Sequence, residues 1–154
     1  MSKAAAKARR AGRRLALHLL YGFEQKRYQD DGLLAAGDDD LADAASQAFA
    51  KTLFDGFAVE RVAVDAAVDK HLKNWTISRL AVIDRCILRL GAYELLYCPE
   101  TPAKVAITEC IELAKEYGSE GRTAKLVNGV LDAVARTHAR IDPAKPAADA
   151  PPAG

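Results

Sequence analysis

From Leu41 to His138 apolar residues recur at i, i+3, i+4 and i+7, and no segment keeps the two-residue alternation of a half-buried strand. The pattern predicts an all-α chain. Helices are expected over Leu41–Gly56, Val59–Leu72, Ile77 to about Cys98, Pro102–Tyr117 and Thr123–His138. Upstream, Leu15, Leu19 and Phe23, with Ala8 and Ala11 before them, make the start of the chain and a first amphipathic helix one element. The apolar face of the Ile77–Cys98 stretch shifts near Val82–Asp84, and a break there brings the total to about seven helices. Pro102 suits the first turn of a helix and Gly118 suits a stop. Gly91 and Gly129 lie inside helical patterns, each at about 1 kcal/mol relative to alanine. Both predict close approach of another helix or a ligand.

A chain of 154 residues, half of them apolar, can bury a core without a metal or disulfide. One globular domain is expected over residues 1–140. Residues 141–154 hold four prolines and little to bury, which predicts a disordered tail. Gln29–Asp40 collects Gly32, Gly37 and five aspartates and reads as a loop ending in an N-cap candidate at Asp40. It is not a calcium loop, because the twelfth residue from Asp38 is Phe49 and not glutamate. Cys86, Cys98 and Cys110 match neither a disulfide framework nor a zinc site and read as reduced apolar fillers. The basic start followed by Leu15–Phe23 imitates a secretory signal, but Glu24-Gln25-Lys26-Arg27 stands where small residues should precede cleavage. No run approaches the roughly 18 apolar residues of a membrane span. A soluble, cytoplasmic protein is expected.

Catalysis has no evident home. There is no glycine-rich dinucleotide loop, Walker loop, HExxH, nucleophile elbow or spaced Cys/His cluster, so neither an enzyme nor a cofactor or metal is predicted. His18, His71 and His138 fall on separate predicted helices. Arg89 and Glu94, within the apolar run Ile87–Tyr97, read as paired structural charges and not as an acid–base couple.

The charge distribution is more informative. Lys3, Lys7, Arg9, Arg10, Arg13 and Arg14 precede any acidic residue; beyond them 16 basic residues face 21 acidic ones, so a body of formal charge −5 carries a basic arm over residues 1–14. At 100° per residue Lys3, Lys7, Arg10 and Arg14 form one stripe, flanked by Arg9 and Arg13 and continued by Leu17 and Tyr21. Like charges at i, i+4 predict an arm that frays when free and orders on an anion. Arginine forks suit phosphate and unpaired bases, which points to single-stranded RNA. A solvated or membrane-touching tail is the plainer alternative.

Several segments, in order, resemble the NusB family of transcription antitermination factors. They are the arginine-rich start running into Ala16-Leu17-His18-Leu19-Leu20-Tyr21, then Asn74-Trp75, Arg79-Leu80, Ile83–Leu90 and Tyr93-Glu94-Leu95. The strongest are Lys104–Lys115 and Val127–Asp132. Together they cover about Arg9 to His138. The resemblance implies two packed three-helix subdomains and binding to the boxA element of nascent ribosomal RNA. It also implies NusE, a small-subunit ribosomal protein, as partner, within the RNA polymerase antitermination complex. No reaction is implied.

By position, Arg9, Arg10 and Arg13 match the family's RNA-binding arginines, and Arg14 adds a cation where the family can have an acid. Lys125 and Leu126 match the edge of the last helix that completes the RNA surface. Leu126 stands where relatives can carry phenylalanine, so stacking on a base gives way to apolar contact, and Arg122 replaces an acidic or polar position. Tyr21 and Asp84 match positions that contact NusE, Asp84 being one methylene shorter than the glutamate of some relatives. The domain also resembles the accessory RNA-binding module of some ribosomal RNA methyltransferases, but there is no room for a catalytic half. A protein-interaction module without RNA binding is the alternative function.

Overall fold

The structure is a computed structural model, and it describes residues 1–25 and 43–140. The loop expected over Gln29–Asp40 and the tail expected over 141–154 lie outside the described residues. Within them the order is α1 (Lys3–Glu24), α2 (Ala44–Asp69), a single 3-10 turn (Ile77–Arg79), α3 (Val82–Tyr97), α4 (Ala103–Tyr117) and α5 (Thr123–Thr137). No strand is present among them.

Each boundary has a local cause. The Ser2 side chain caps α1 by accepting from the Ala5 amide, and Asp43 caps α2 by accepting from Ala45. Asp43, not Asp40, is therefore the cap. Pro102 precedes α4 immediately and Gly118 ends it. Leu80 and Ala81 are extended, so the residues before them close only a 3-10 turn and α3 starts at Val82. The Asp69 carboxylate holds that turn by accepting from the Ile77 amide at 2.6 Å.

The described residues form five α-helices where about seven were expected. The helices expected over Leu41–Gly56 and Val59–Leu72 are the two halves of α2, which meet at a kink at the non-helical Glu60 (φ −100°, ψ 15°). Leu53, Phe57, Val64 and Val68 keep both halves of α2 on the core. Burial of a continuous face outweighs the weak local break.

α3 is the hub. It packs against all four other helices, and most of its length is buried, including the charged Asp84, Arg89 and Glu94. Apart from α3, α1 packs mainly on α2 and α4 mainly on α5. The two expected three-helix units thus share α3 and one continuous core. Gly91 behaves as expected: a Cβ there would lie 2.4 Å from Leu131 Cδ1, so the glycine lets α5 approach α3. Gly129 meets no neighbouring helix, since it is exposed with nothing within 4 Å of an added Cβ. Cys86, Cys98 and Cys110 are free and buried, and burial pushes the Cys86 thiol up to about 12 and the Cys98 thiol up to about 11. No helix of the described residues is long and apolar enough to cross a membrane.

Candidate nucleic-acid interface

The arm is the first half of α1, and its six cations have different environments. Lys3 and Lys7 are exposed. Arg10 is also exposed, and its Nε and Nη2 donate to both carboxylate oxygens of Glu109, each at 3.0 Å. Arg14 is half-buried and pairs with Glu116 at 3.4 Å. Arg9 is half-buried, with its guanidinium 5.3 Å from the centre of the Phe49 ring.

Arg13 is buried, with its side chain only 4 % exposed. Its Nε donates to the Glu94 carboxylate at 2.8 and 3.1 Å, and its guanidinium lies 5.3 Å from the Phe49 ring centre. Glu94 is itself buried. Burial raises its carboxyl pKa, and the charge and hydrogen bonds of Arg13 oppose that rise. Arg13 is therefore a largely buried residue joining α1 to α3, and it is the least exposed of the residues expected to meet RNA. Its Nε is engaged by the carboxylate, and little of the side chain is open to solvent.

α1 runs unbroken from Lys3 in this structure, and of its like-charge i, i+4 pairs Arg10 and Arg14 meet carboxylates from α4. Glu109, Glu112 and Glu116 lie at i, i+3 and i+7 and share one face of that helix. The Arg10–Glu109, Arg14–Glu116 and His18–Tyr117 contacts step forward together, so α1 and α4 run in the same sense. The cationic stripe consequently leads along α4 toward the turn that follows Tyr117. A groove of about 800 Å³, lined by Lys3, Lys7, Arg10, Arg14, Asp43 and Ser46, runs beside it.

That turn carries the second set of expected residues. Arg122 is 85 % exposed and donates from Nε to the neighbouring Glu120 at 2.8 Å, which holds its guanidinium pKa above the ordinary value. Lys125 is exposed on the first turn of α5. Leu126 is half-buried against the core, leaving part of its side chain outward, and Gly129 opens the surface one turn further on.

Of the two residues expected to meet a partner protein, Tyr21 is 39 % exposed on α1. Asp84 is buried. It is 6 % exposed and accepts from the Ser119 amide at 2.9 Å, the Ser119 hydroxyl and the Thr123 hydroxyl. All these donors come from its own chain, so in this structure the carboxylate is turned inward. Arg89 and Glu94 are structural charges as expected, though not paired with each other. Arg89 is held by Asp65, at 2.8 and 3.0 Å, and by Glu24, above the Phe57 ring. The residues missed from sequence are those that hold the cations: Phe49, Glu109 and Glu116. The i, i+3, i+7 spacing of the α4 glutamates was a usable signal, whereas nothing local marked Phe49.

Comparison with known proteins gives concordant likenesses. Residues 10–136 match the model of the NusB family. The chain is 40% identical over 136 residues to the transcription antitermination protein NusB of Sorangium cellulosum, covering 88% of this chain and 96% of that one. It is also 40% identical, over 133 residues, to the NusB of Myxococcus xanthus, covering 83% and 94%. Among solved structures, T. maritima NusB superposes with a TM-score of 0.74 at 34% identity, covering 83% of this chain and 90% of that chain. A structure of the antitermination factors NusB and NusE in complex with dsRNA superposes with a TM-score of 0.71 at 26% identity, covering 84% and 97%.

Proposed function

Because the chain belongs to the NusB family, we propose that it is a non-catalytic transcription antitermination factor. In this reading it acts in the cytoplasm, binds the boxA-type single-stranded RNA of nascent ribosomal transcripts together with NusE, and supports read-through by RNA polymerase. The observation that carries the reading is the alignment of two cationic elements remote in sequence. The α1 stripe runs along α4 toward the α4–α5 turn, where Arg122 and Lys125 are exposed.

The chemistry follows from the environments. Lys3, Lys7 and Arg10 are exposed along α1, and Arg122 and Lys125 extend the row, so the backbone of an extended strand meets five cations without rearrangement of the core. Arg9 and Arg14, half-buried at the edge, add donors to that row. The outward part of Leu126 and the open backbone at Gly129 give a base an apolar place to rest. Tyr21 lies further along α1 on the continuation of the stripe, which suits a partner protein that extends the RNA surface. A solved NusB and NusE complex with dsRNA among the similar structures supports both kinds of ligand.

One observation favours the interaction-only alternative: Arg10, Arg13 and Arg14 are all paired with carboxylates of this chain. Mobility shift with boxA-type RNA, a scrambled RNA and a duplex, with and without NusE, separates the readings. The RNA reading predicts a shift of boxA-type RNA that NusE strengthens. No shift in either condition, with NusE still bound, would establish the alternative.

A further inference from the structure

Asp84 lies in the first turn of α3, yet its side chain serves a different part of the chain. One oxygen accepts from the Ser119 amide, and the other accepts from the hydroxyls of Ser119 and Thr123. The Thr123 hydroxyl accepts in turn from the Glu120 amide at 3.3 Å. One buried carboxylate therefore holds both ends of the connection that leaves α4 at Gly118 and enters α5 at Thr123. Arg122 stands between those two anchors, as the N-cap residue of α5, and has no capping bond of its own. Its guanidinium is fully outside.

We infer that Asp84 is a positioning residue for nucleic-acid binding: by clamping the α4–α5 turn to α3 it keeps Arg122, and Lys125 one turn on, in register with the α1 row. With both oxygens occupied by its own chain, it acts on RNA through the turn it holds. Conformational freedom lost in advance is not lost on binding, which is how a fixed turn raises affinity without adding a contact. The inference rests on the proposed RNA-binding function. It also accounts for an acidic residue beside a surface meant for phosphate, since the carboxylate is turned inward and occupied.

The test is a double-mutant cycle read by fluorescence anisotropy with a boxA-type single-stranded RNA oligonucleotide. The proteins are the wild type, Asp84→Asn, Ser119→Ala, Arg122→Ala and the Asp84→Asn/Arg122→Ala double variant. Ser119 is exposed, so its alanine variant removes one bond to Asp84 and keeps the fold even where Asp84→Asn loosens it. We expect Asp84→Asn to weaken RNA binding about fivefold and Ser119→Ala about twofold. In the Arg122→Ala background Asp84→Asn should add less than about twofold, because a residue acting through Arg122 has nothing left to position. NusE affinity should not change. Equal losses from Asp84→Asn with and without Arg122 would overturn the inference in favour of a general structural role. A loss confined to NusE binding would overturn it in favour of a direct partner contact. If Arg122→Ala weakens binding while Asp84→Asn and Ser119→Ala do not, the inference falls and the RNA reading stands; if Arg122→Ala itself binds normally, the RNA reading of this turn fails first.

Discussion

Replacing Arg13 by alanine is expected to damage the fold and not the RNA contact, although Arg13 sits among five other cations in the same short segment. Its guanidinium is enclosed by Glu94 and the Phe49 ring, and both members of the ion pair are almost inaccessible. Removing one partner leaves a buried, uncompensated carboxylate, which costs about 3–5 kcal/mol. Loss of the ring contact adds roughly 0.5–1 kcal/mol. A domain of this size has about 5–15 kcal/mol in total, so Arg13→Ala should lower the urea midpoint by a large fraction and remain folded only in part.

The loss also has a pH signature. Burial already raises the Glu94 carboxyl pKa, and Arg13 is the main influence that lowers it, so the variant's Glu94 rises further. A carboxyl with a raised native pKa is stabilising while protonated, below its unfolded value of about 4.3, and that contribution is lost as pH rises through the native value. The deficit of Arg13→Ala against wild type should therefore be larger at pH 8 than at pH 5, measured by urea denaturation followed by far-ultraviolet circular dichroism. An apolar pair of similar volume, Arg13→Met with Glu94→Leu, should recover most of the stability. A loss under about 1 kcal/mol in Arg13→Ala, or a deficit that grows as pH falls, would refute the reasoning.

Two glycines in similar helical patterns should respond with opposite signs. Gly129→Ala, in open space, should stabilise by about 0.5–1 kcal/mol, whereas Gly91→Ala, whose Cβ would press on Leu131, should destabilise by about 1–2 kcal/mol; thermal denaturation of both checks the pair, and equal signs would contradict the packing. Glu109→Gln should tighten RNA binding about two- to fivefold at low salt, because the carboxylate that now holds Arg10 competes with phosphate; unchanged or weaker binding would mean that Glu109 orients the arginine and does not compete.

What could be read from the sequence was what local periodicity and capping decide. The helical character, the fusion of arm and first helix, the start at Pro102, the stop at Gly118 and the tight contact at Gly91 all follow from residues within one or two turns. What could not be read depends on partners far along the chain. Arg13 and Arg10 lie three positions apart and are chemically identical. Glu94, 81 residues away, places one in the core, while Glu109, 99 residues away, holds the other at the surface. Asp84 matched a surface position, but the donors that bury it come from a turn 35–39 residues later. The two helices expected on either side of residues 57–58 are joined across the kink at Glu60, because the buried face of α2 continues through both halves. Gly129 shows the converse, since the same internal glycine signal that marks helix packing at Gly91 marks open surface there.

The central claim is that exposed cations on α1 and on the α4–α5 turn act as one phosphate-binding row. Lys3, Lys7, Arg10, Arg122 and Lys125 are its exposed members. Neutralising about five phosphates of single-stranded RNA gives a slope of log K against log salt near −3.5, or about a hundredfold weaker binding between roughly 50 and 200 mM salt. The deciding measurement is that slope for the wild type beside Lys7→Ala/Arg122→Ala, one cation removed from each element. The slope is expected to fall from about −3.5 in the wild type to about −2.1 in the double variant. A flat response in the wild type, or an unchanged slope in the double variant, would contradict it.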